Sequence, residues 1–203
     1  MRNLSRDEFA AAYGPAPDVP DEPAGLVYTS GYNLAALLCL ARGARRILEF
    51  GTARGQTTLA LARFCPLAKI VTLDVHPDWL PDLAYTQDTR PPAEIGAAFR
   101  GTPEAARITQ IIADPHDPWP LDAIGTAFDL AFVDSLHTYV GVAKDTAAAL
   151  AVVRPGGVIV WDDYLAAGVP KLLSEIDLPL THVVGARLVF SALPFLPIVP
   201  SIR

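Results

Sequence analysis

Two stretches of this chain carry residues whose types and spacing could do chemistry. The first, Ile47-Leu48-Glu49-Phe50-Gly51-Thr52-Ala53-Arg54-Gly55-Gln56-Thr57-Thr58, sets two glycines where an apolar run gives way to a helical pattern. Glycine permits a tight turn there and lets the backbone come close to a ligand. A dinucleotide fingerprint would read G-x-G-x-x-G, but Ala53 stands at the middle glycine. A phosphate-cradling P-loop would need one more residue, and a lysine where Gln56 stands. The second stretch is acidic: Asp134 closes the apolar run from Phe128 to Val133, and Asp162 and Asp163 follow Val158 to Trp161.

Carboxylates flank the glycine loop as well, with Glu49 before it and Asp74 closing the next apolar run. S-adenosylmethionine suits such a loop, because it has a ribose diol, an adenine and an ammonium group but no phosphates. Asp74 is placed to accept hydrogen bonds from both ribose hydroxyls, as a carboxylate does in dinucleotide folds. The alternative is that Glu49 and Asp74 merely end strands and face water.

In an open α/β sheet, ligands bind beyond the carboxyl ends of the strands. If the two acidic runs are neighbouring strands, Asp134, Asp162 and Asp163 converge there, and they repel unless a cation or protons intervene. A hard divalent ion such as Mg²⁺ is the natural occupant. Against this, Asp162 and Asp163 could shape a turn while Asp134 caps the following helix. His137, three residues after Asp134, is the candidate general base, since an imidazole titrates near neutrality; a helix-start histidine bonded to backbone is the competing account. Trp161, beside the cluster, could face an acceptor ring or belong to the core.

These residues need a scaffold, and the pattern supplies one. The 203 residues suffice for one α/β domain and are too few for two. Hydrophobic residues make up 51% and charged residues 19%, as suits a sheet covered on both faces. Strands are expected at Arg46 to Phe50, Lys69 to Asp74, Ile108 to Ala113, Leu130 to Asp134 and Val158 to Trp161. Helices are expected at Gln56 to Phe64, Val140 to Val153 and near Val169 to Ile176, with one leading from Ser30 to Ala41. Alternation of this kind means a doubly wound, Rossmann-like sheet. Thr181 to Val184 and Arg187 to Ala192 form an expected terminal hairpin across Gly185.

Residues 1–26 hold Pro15, Pro17, Pro20 and Pro23 and read as an arm or lid outside the core, with one short helix over Asp7 to Tyr13. Residues 27–203 form the single domain. The stretch from 75 to 106 is Pro-rich, with a helical patch at Ala93 to Phe99. A net charge of −6 argues against a nucleic-acid partner. No run has the length of a membrane span, and Cys39 and Cys65 sit in apolar runs as buried thiols. A cytoplasmic protein acting on a small molecule is expected, with the oligomeric state open, a homodimer included.

The glycine loop resembles motif I of class I methyltransferases, and E-F-G-T-x-x-G-x-T-T over Glu49 to Thr58 is similar to the O-methyltransferase branch. Thr29-Ser30 matches the Thr-Ser-type segment before the leading helix of that branch. The resemblance spans about Val27 to Ala192 and implies a seven-stranded sheet, mostly parallel, with an antiparallel last strand. It implies cofactor contacts from Ser30, Glu49, Gly51, Thr52, Gly55, Thr57, Asp74 and Asp114, with Asp114 at the adenine; an Asx turn before Pro115 explains Asp114 almost as well. Cation-dependent members of the branch carry an Asp after the fourth strand and an Asp-Asn or Asp-Asp pair after the fifth. Asp134, Asp162 and Asp163 match as metal ligands. The run D-S-L-H-T-Y-x-x-x-x-x-D from Asp134 to Asp145 resembles the macrocin-type bacterial sugar methyltransferases, yet Leu136 stands where those carry a carboxylate. The function implied is O-methylation of a small hydroxylated acceptor, with Asp134 and His137 catalytic. Metal-independent N- or C-methylation and a non-catalytic cofactor-binding module are the alternatives.

Overall fold

The computed structural model describes residues 1–19, 31–76, 91–114, 116–166 and 168–195. Apolar runs with β-branched residues form the centre of one sheet: β2 (Arg46–Phe50), β3 (Lys69–Val75), β4 (Ile108–Ala113), β5 (Phe128–Val133) and β6 (Val153–Trp161). Their spatial order is β4-β3-β2-β5-β6, all parallel, and β8 (Val189–Ala192) then runs antiparallel against β6. Beyond it lies β7 (Thr181–Val183), the other arm of the expected hairpin. The chain winds outward from β2 through β3 to β4, then returns to β5 on the opposite side of β2. The strand order reverses at that switch, and in open α/β sheets ligands bind at such a point, beyond the carboxyl ends of the strands.

Side chains alternate across a strand, which divides the core in two. Ile47, Ile70, Leu130, Phe132 and Val160 face one way and pack under α2 (Gly31–Leu40) and α3 (Gln56–Phe64). Leu48, Phe50, Leu73, Ala131, Val133 and Trp161 face the other, under α5 (Tyr139–Val152) and α6 (Gly168–Glu175). Trp161 belongs to this core and donates its Nε1–H to Thr146 Oγ1 at 2.8 Å, so it does not face an acceptor. A one-turn helix, α4 (Leu121–Ile124), precedes β5. Among the described residues no helix is long and apolar enough to cross a membrane.

The N-terminal residues join this core. β1 (Arg2–Leu4) adds an eighth strand parallel to β7, and α1 (Arg6–Tyr13) follows with a capping box between Ser5 and Glu8. Leu4 and Phe9 are buried, and Phe9 stacks on Tyr13 with ring centroids 4.9 Å apart. A three-residue strand is too short to show alternation in a sequence, and the apolar side chains of α1 need cover.

The helical patch expected at Ala93 to Phe99 is a 3₁₀ turn, Pro92–Glu94, followed by further turns. Gly96 has φ +73°, and the N–H groups of Gly96 and Ala98 donate to the carbonyls of Ala53 and Arg54 at 2.9 and 2.8 Å. Backbone donors that would close a helix instead hold the glycine loop. Thr29, Ser30 and Trp79 lie outside the described residues, as do residues 20–26 and 77–90 of the arm and the Pro-rich stretch.

Candidate active site

β2 alternates, so Glu49 points to the face covered by α3, and it is fully buried rather than solvated. Its Oε2 accepts from Thr58 Oγ1 and, at 2.6 Å, from Thr72 Oγ1. Thr72 is also hydrogen-bonded to Thr52 at 2.7 Å. Glu49 thus ties the loop, α3 and β3 together from beneath. Burial pushes its carboxyl up to about 8 despite the two hydroxyl donors, and the charges of Asp134 and Asp74 add to the rise.

The loop itself is fixed by backbone. The Gly51 and Thr52 N–H groups both reach the Leu73 carbonyl, at 2.8 and 3.0 Å, and Gly55 caps α3 in the left-handed region. Asp74 accepts from the Ala53 and Val75 N–H groups, each at 2.8 Å. Thr57 is half-buried, next to the fully buried Thr58. Asp114, at the end of β4, accepts the His116 N–H at 2.8 Å, which is the Asx turn.

The acidic residues do converge. β5 and β6 are neighbours, and Asp134, Asp162 and Asp163 follow them directly. A Cβ on Gly51 would lie 2.1 Å from the Asp134 backbone carbonyl oxygen, so the backbone that carries Asp134 lies hard against the glycine loop. His137 sits between two of the carboxylates, its Nε2 3.4 Å from Asp134 Oδ1 and 3.3 Å from Asp163 Oδ2. These are charge contacts rather than short hydrogen bonds. Burial opposes protonation of the imidazole, but Asp134, Asp163 and Asp162 together raise its pKa above the ordinary value.

Asp162 is only 1% exposed and accepts the Asp163 N–H at 2.7 Å. Burial, assisted by Asp134, pushes its carboxyl up to about 7. Opposing that rise is Arg187, whose Nη2 lies 3.6 Å from Asp162 Oδ2 and whose Nη1 lies 2.9 Å from Asp163 Oδ1. Donor atoms of Asp134, His137 and Asp163 lie within 4.8 Å of one another, a set that suits a small cation.

Several participants escape sequence reasoning. Arg187 belongs to the hairpin, far along the chain from the aspartates. Thr58 had a signal: with Leu61 and Ala62 it forms the buried stripe of α3. Phe99 packs against Gly55, where a Cβ would come within 2.6 Å of its ring. Asp145, nearly buried on α5, accepts from Trp119 Nε1 at 2.7 Å and from Ser135 Oγ, and so anchors the segment between Asp134 and His137. Tyr139 packs rather than reacts, with its hydroxyl on Glu175 and Lys171 over its ring.

The strand order, with a glycine loop at its switch point, is that of the Rossmann-like class I methyltransferase fold. The family model described as a methyltransferase domain matches residues 48–164, more than half of the chain, and the chain belongs to that family. It is an S-adenosylmethionine-dependent methyltransferase. No curated protein matches the chain. Among solved structures, cofactor-bound Rv0187 from MTB is similar at 23% identity and TM-score 0.63, over 91% of this chain and 86% of that one. The SAH-bound methyltransferase PaMTH1 of Podospora anserina shares 19% identity at TM-score 0.62, over 82% and 80%. TomG, an O-methyltransferase of Streptomyces achromogenes solved with SAM, shares 22% at TM-score 0.50, over 78% and 77%. At such identities the likeness is one of fold.

Proposed function

We propose that the chain moves the methyl group of S-adenosylmethionine to a hydroxyl of a small acceptor, at the carboxyl ends of β2, β5 and β6. The observation that carries this is the seat of His137 Nε2 between Asp134 and Asp163, on a segment that begins where the Asp134 backbone packs against Gly51 of the cofactor loop. In this reading Asp74 binds the ribose and Asp114 borders the adenine. Gly51, Thr52, Gly55 and Thr57 line the cofactor's path and Glu49 supports the loop; Ser30 is assigned to the cofactor on the sequence resemblance alone, since it lies outside the described residues.

The acceptor oxygen attacks the sulfonium methyl: an O–C bond forms, the S–C bond breaks, and the cofactor leaves as a neutral thioether. The hydroxyl proton passes to His137 Nε2. Asp134 and Asp163 stabilise the imidazolium, and Asp145 holds the segment through Ser135. Asp134 and Asp163, with Asp162 behind them, are the residues that would hold a divalent ion, their carboxylate oxygens suiting a hard cation while His137, whose Nε2 clusters with Asp134 and Asp163, stays the base. Such an ion, when bound, supplies Lewis acidity that lowers the pKa of the hydroxyl. One observation favours a second reading, transfer without a metal: Arg187 already supplies a cation to Asp162 and Asp163.

A thermal-shift panel of S-adenosylmethionine, S-adenosylhomocysteine and NAD, each with and without Mg²⁺, tests the cofactor. Both sulfur compounds should raise the Tm and NAD should not, since only a ligand of the native state stabilises it. Stabilisation by NAD alone overturns the proposal. On hydroxylated acceptors, followed by mass spectrometry, EDTA should abolish methylation; activity unchanged by EDTA selects the metal-free reading.

A further inference from the structure

We propose that Arg187 is a built-in counter-cation of the acidic site, which a divalent ion must displace from Asp163 in order to bind. The inference rests on the divalent-ion reading above. Trp161 pairs with Val189 across the antiparallel β6–β8 ladder, and continuing that register by two residues sets Arg187 beside Asp163. The backbone of Arg187 is held on both sides: its N–H donates to Asn33 Oδ1 at 2.7 Å, and its carbonyl accepts the Tyr164 N–H at 3.0 Å. Its position over the acids is therefore built into the hairpin.

The guanidinium spans both carboxylates, at 2.9 Å from Asp163 Oδ1 and 3.6 Å from Asp162 Oδ2. Asp163 Oδ2 faces the opposite way, toward His137 and Asp134. A doubly charged ion at that second oxygen would stand a few ångströms from a permanent positive charge. Arginine cannot relieve the repulsion by losing a proton. It can only move, and it is the freer end of both contacts: the Arg187 side chain is 44% exposed, against 25% for Asp163 and 1% for Asp162. The guanidinium can swing into water while its backbone stays anchored. Arg187 thus neutralises the acids when no ion is bound and weakens the site's affinity for one.

The test titrates the EDTA-treated full chain with MnCl₂, reading free Mn²⁺ by electron paramagnetic resonance, for wild type, Arg187→Gln and Arg187→Lys. Removing one positive charge this close to a divalent ion should tighten binding on the order of tenfold in Arg187→Gln, even with water-like screening. Arg187→Lys keeps the charge and should stay near wild type. Equal or weaker binding by Arg187→Gln overturns the inference and leaves the divalent-ion reading standing, whereas no Mn²⁺ bound by any of the three overturns both. A second measurement needs no mutant in the titration: in wild type saturated with Mg²⁺, the Nε–H resonance of Arg187 should move toward its solvent-exposed position. Bound Mg²⁺ that leaves this resonance unchanged also overturns the inference.

Discussion

Glu49 shows how one residue of the loop works. Its Oε2 receives two threonine hydroxyls in a fully buried setting, one from α3 and one from β3. Replacing Thr58 by Val removes one donor while keeping the shape, and strips a buried carboxyl of a partner. The expected cost is about 1–3 kcal/mol, measured by urea unfolding of the unliganded protein. Thr57→Val, at a half-buried neighbour without this bond, should cost less than about 0.5 kcal/mol. Equal costs would dismiss the support assigned to Thr58. At this scale the sequence displays what local spacing encodes: the glycines, Asp74, and the acids that follow strands. Arg187 was hidden, because only the register of the β8 hairpin brings it to Asp163, and register is not written in any short window.

The elements divide along the same physical line. β2, α3 and β4 have the bounds expected of them, since an apolar run or helical spacing of five or more residues marks each. β1 offers three residues and gave no period to read. The turn at 92–99 has helical spacing but spends the Gly96 and Ala98 N–H groups on the glycine loop. α1 is where this matters for stability: Phe9 is buried between Tyr13 and Phe190, with centroids 4.9 and 6.4 Å away. Phe9→Ala should cost about 3–5 kcal/mol, as for other buried aromatics. An element lying loosely on the surface would lose less than about 1 kcal/mol, so chemical denaturation of this variant decides whether residues 1–13 belong to the cooperative unit.

For the whole molecule, buried acids and net charge act together on pH dependence. Glu49 is pushed up to about 8 and Asp145 to about 6, in both cases by burial against their hydroxyl or indole donors. Unfolding returns each to the ordinary carboxylate range near ~4. Between those limits the folded state binds more protons than the unfolded one, so stability falls as pH rises, from about 4 up to about 6 for Asp145 and about 8 for Glu49. Asp129 has the opposite sign: burial works against its charge, but Arg154 and the Arg45 and Arg46 N–H groups hold its pKa low, and that contribution is lost only in acid. The chain's pI near 5.1 adds growing self-repulsion above it. The Tm of the unliganded protein in EDTA should therefore be higher at pH 5.5 than at pH 8.5. Salt separates the two causes: roughly 0.5 M NaCl screens surface repulsion while leaving a buried carboxyl largely unaffected. Glu49→Gln, which keeps an acceptor for Thr58 and Thr72, should flatten the upper part of the slope in that salt. A Tm that rises from pH 5.5 to 8.5, or a Glu49→Gln slope identical to wild type, would refute a protonated Glu49 in the unliganded fold.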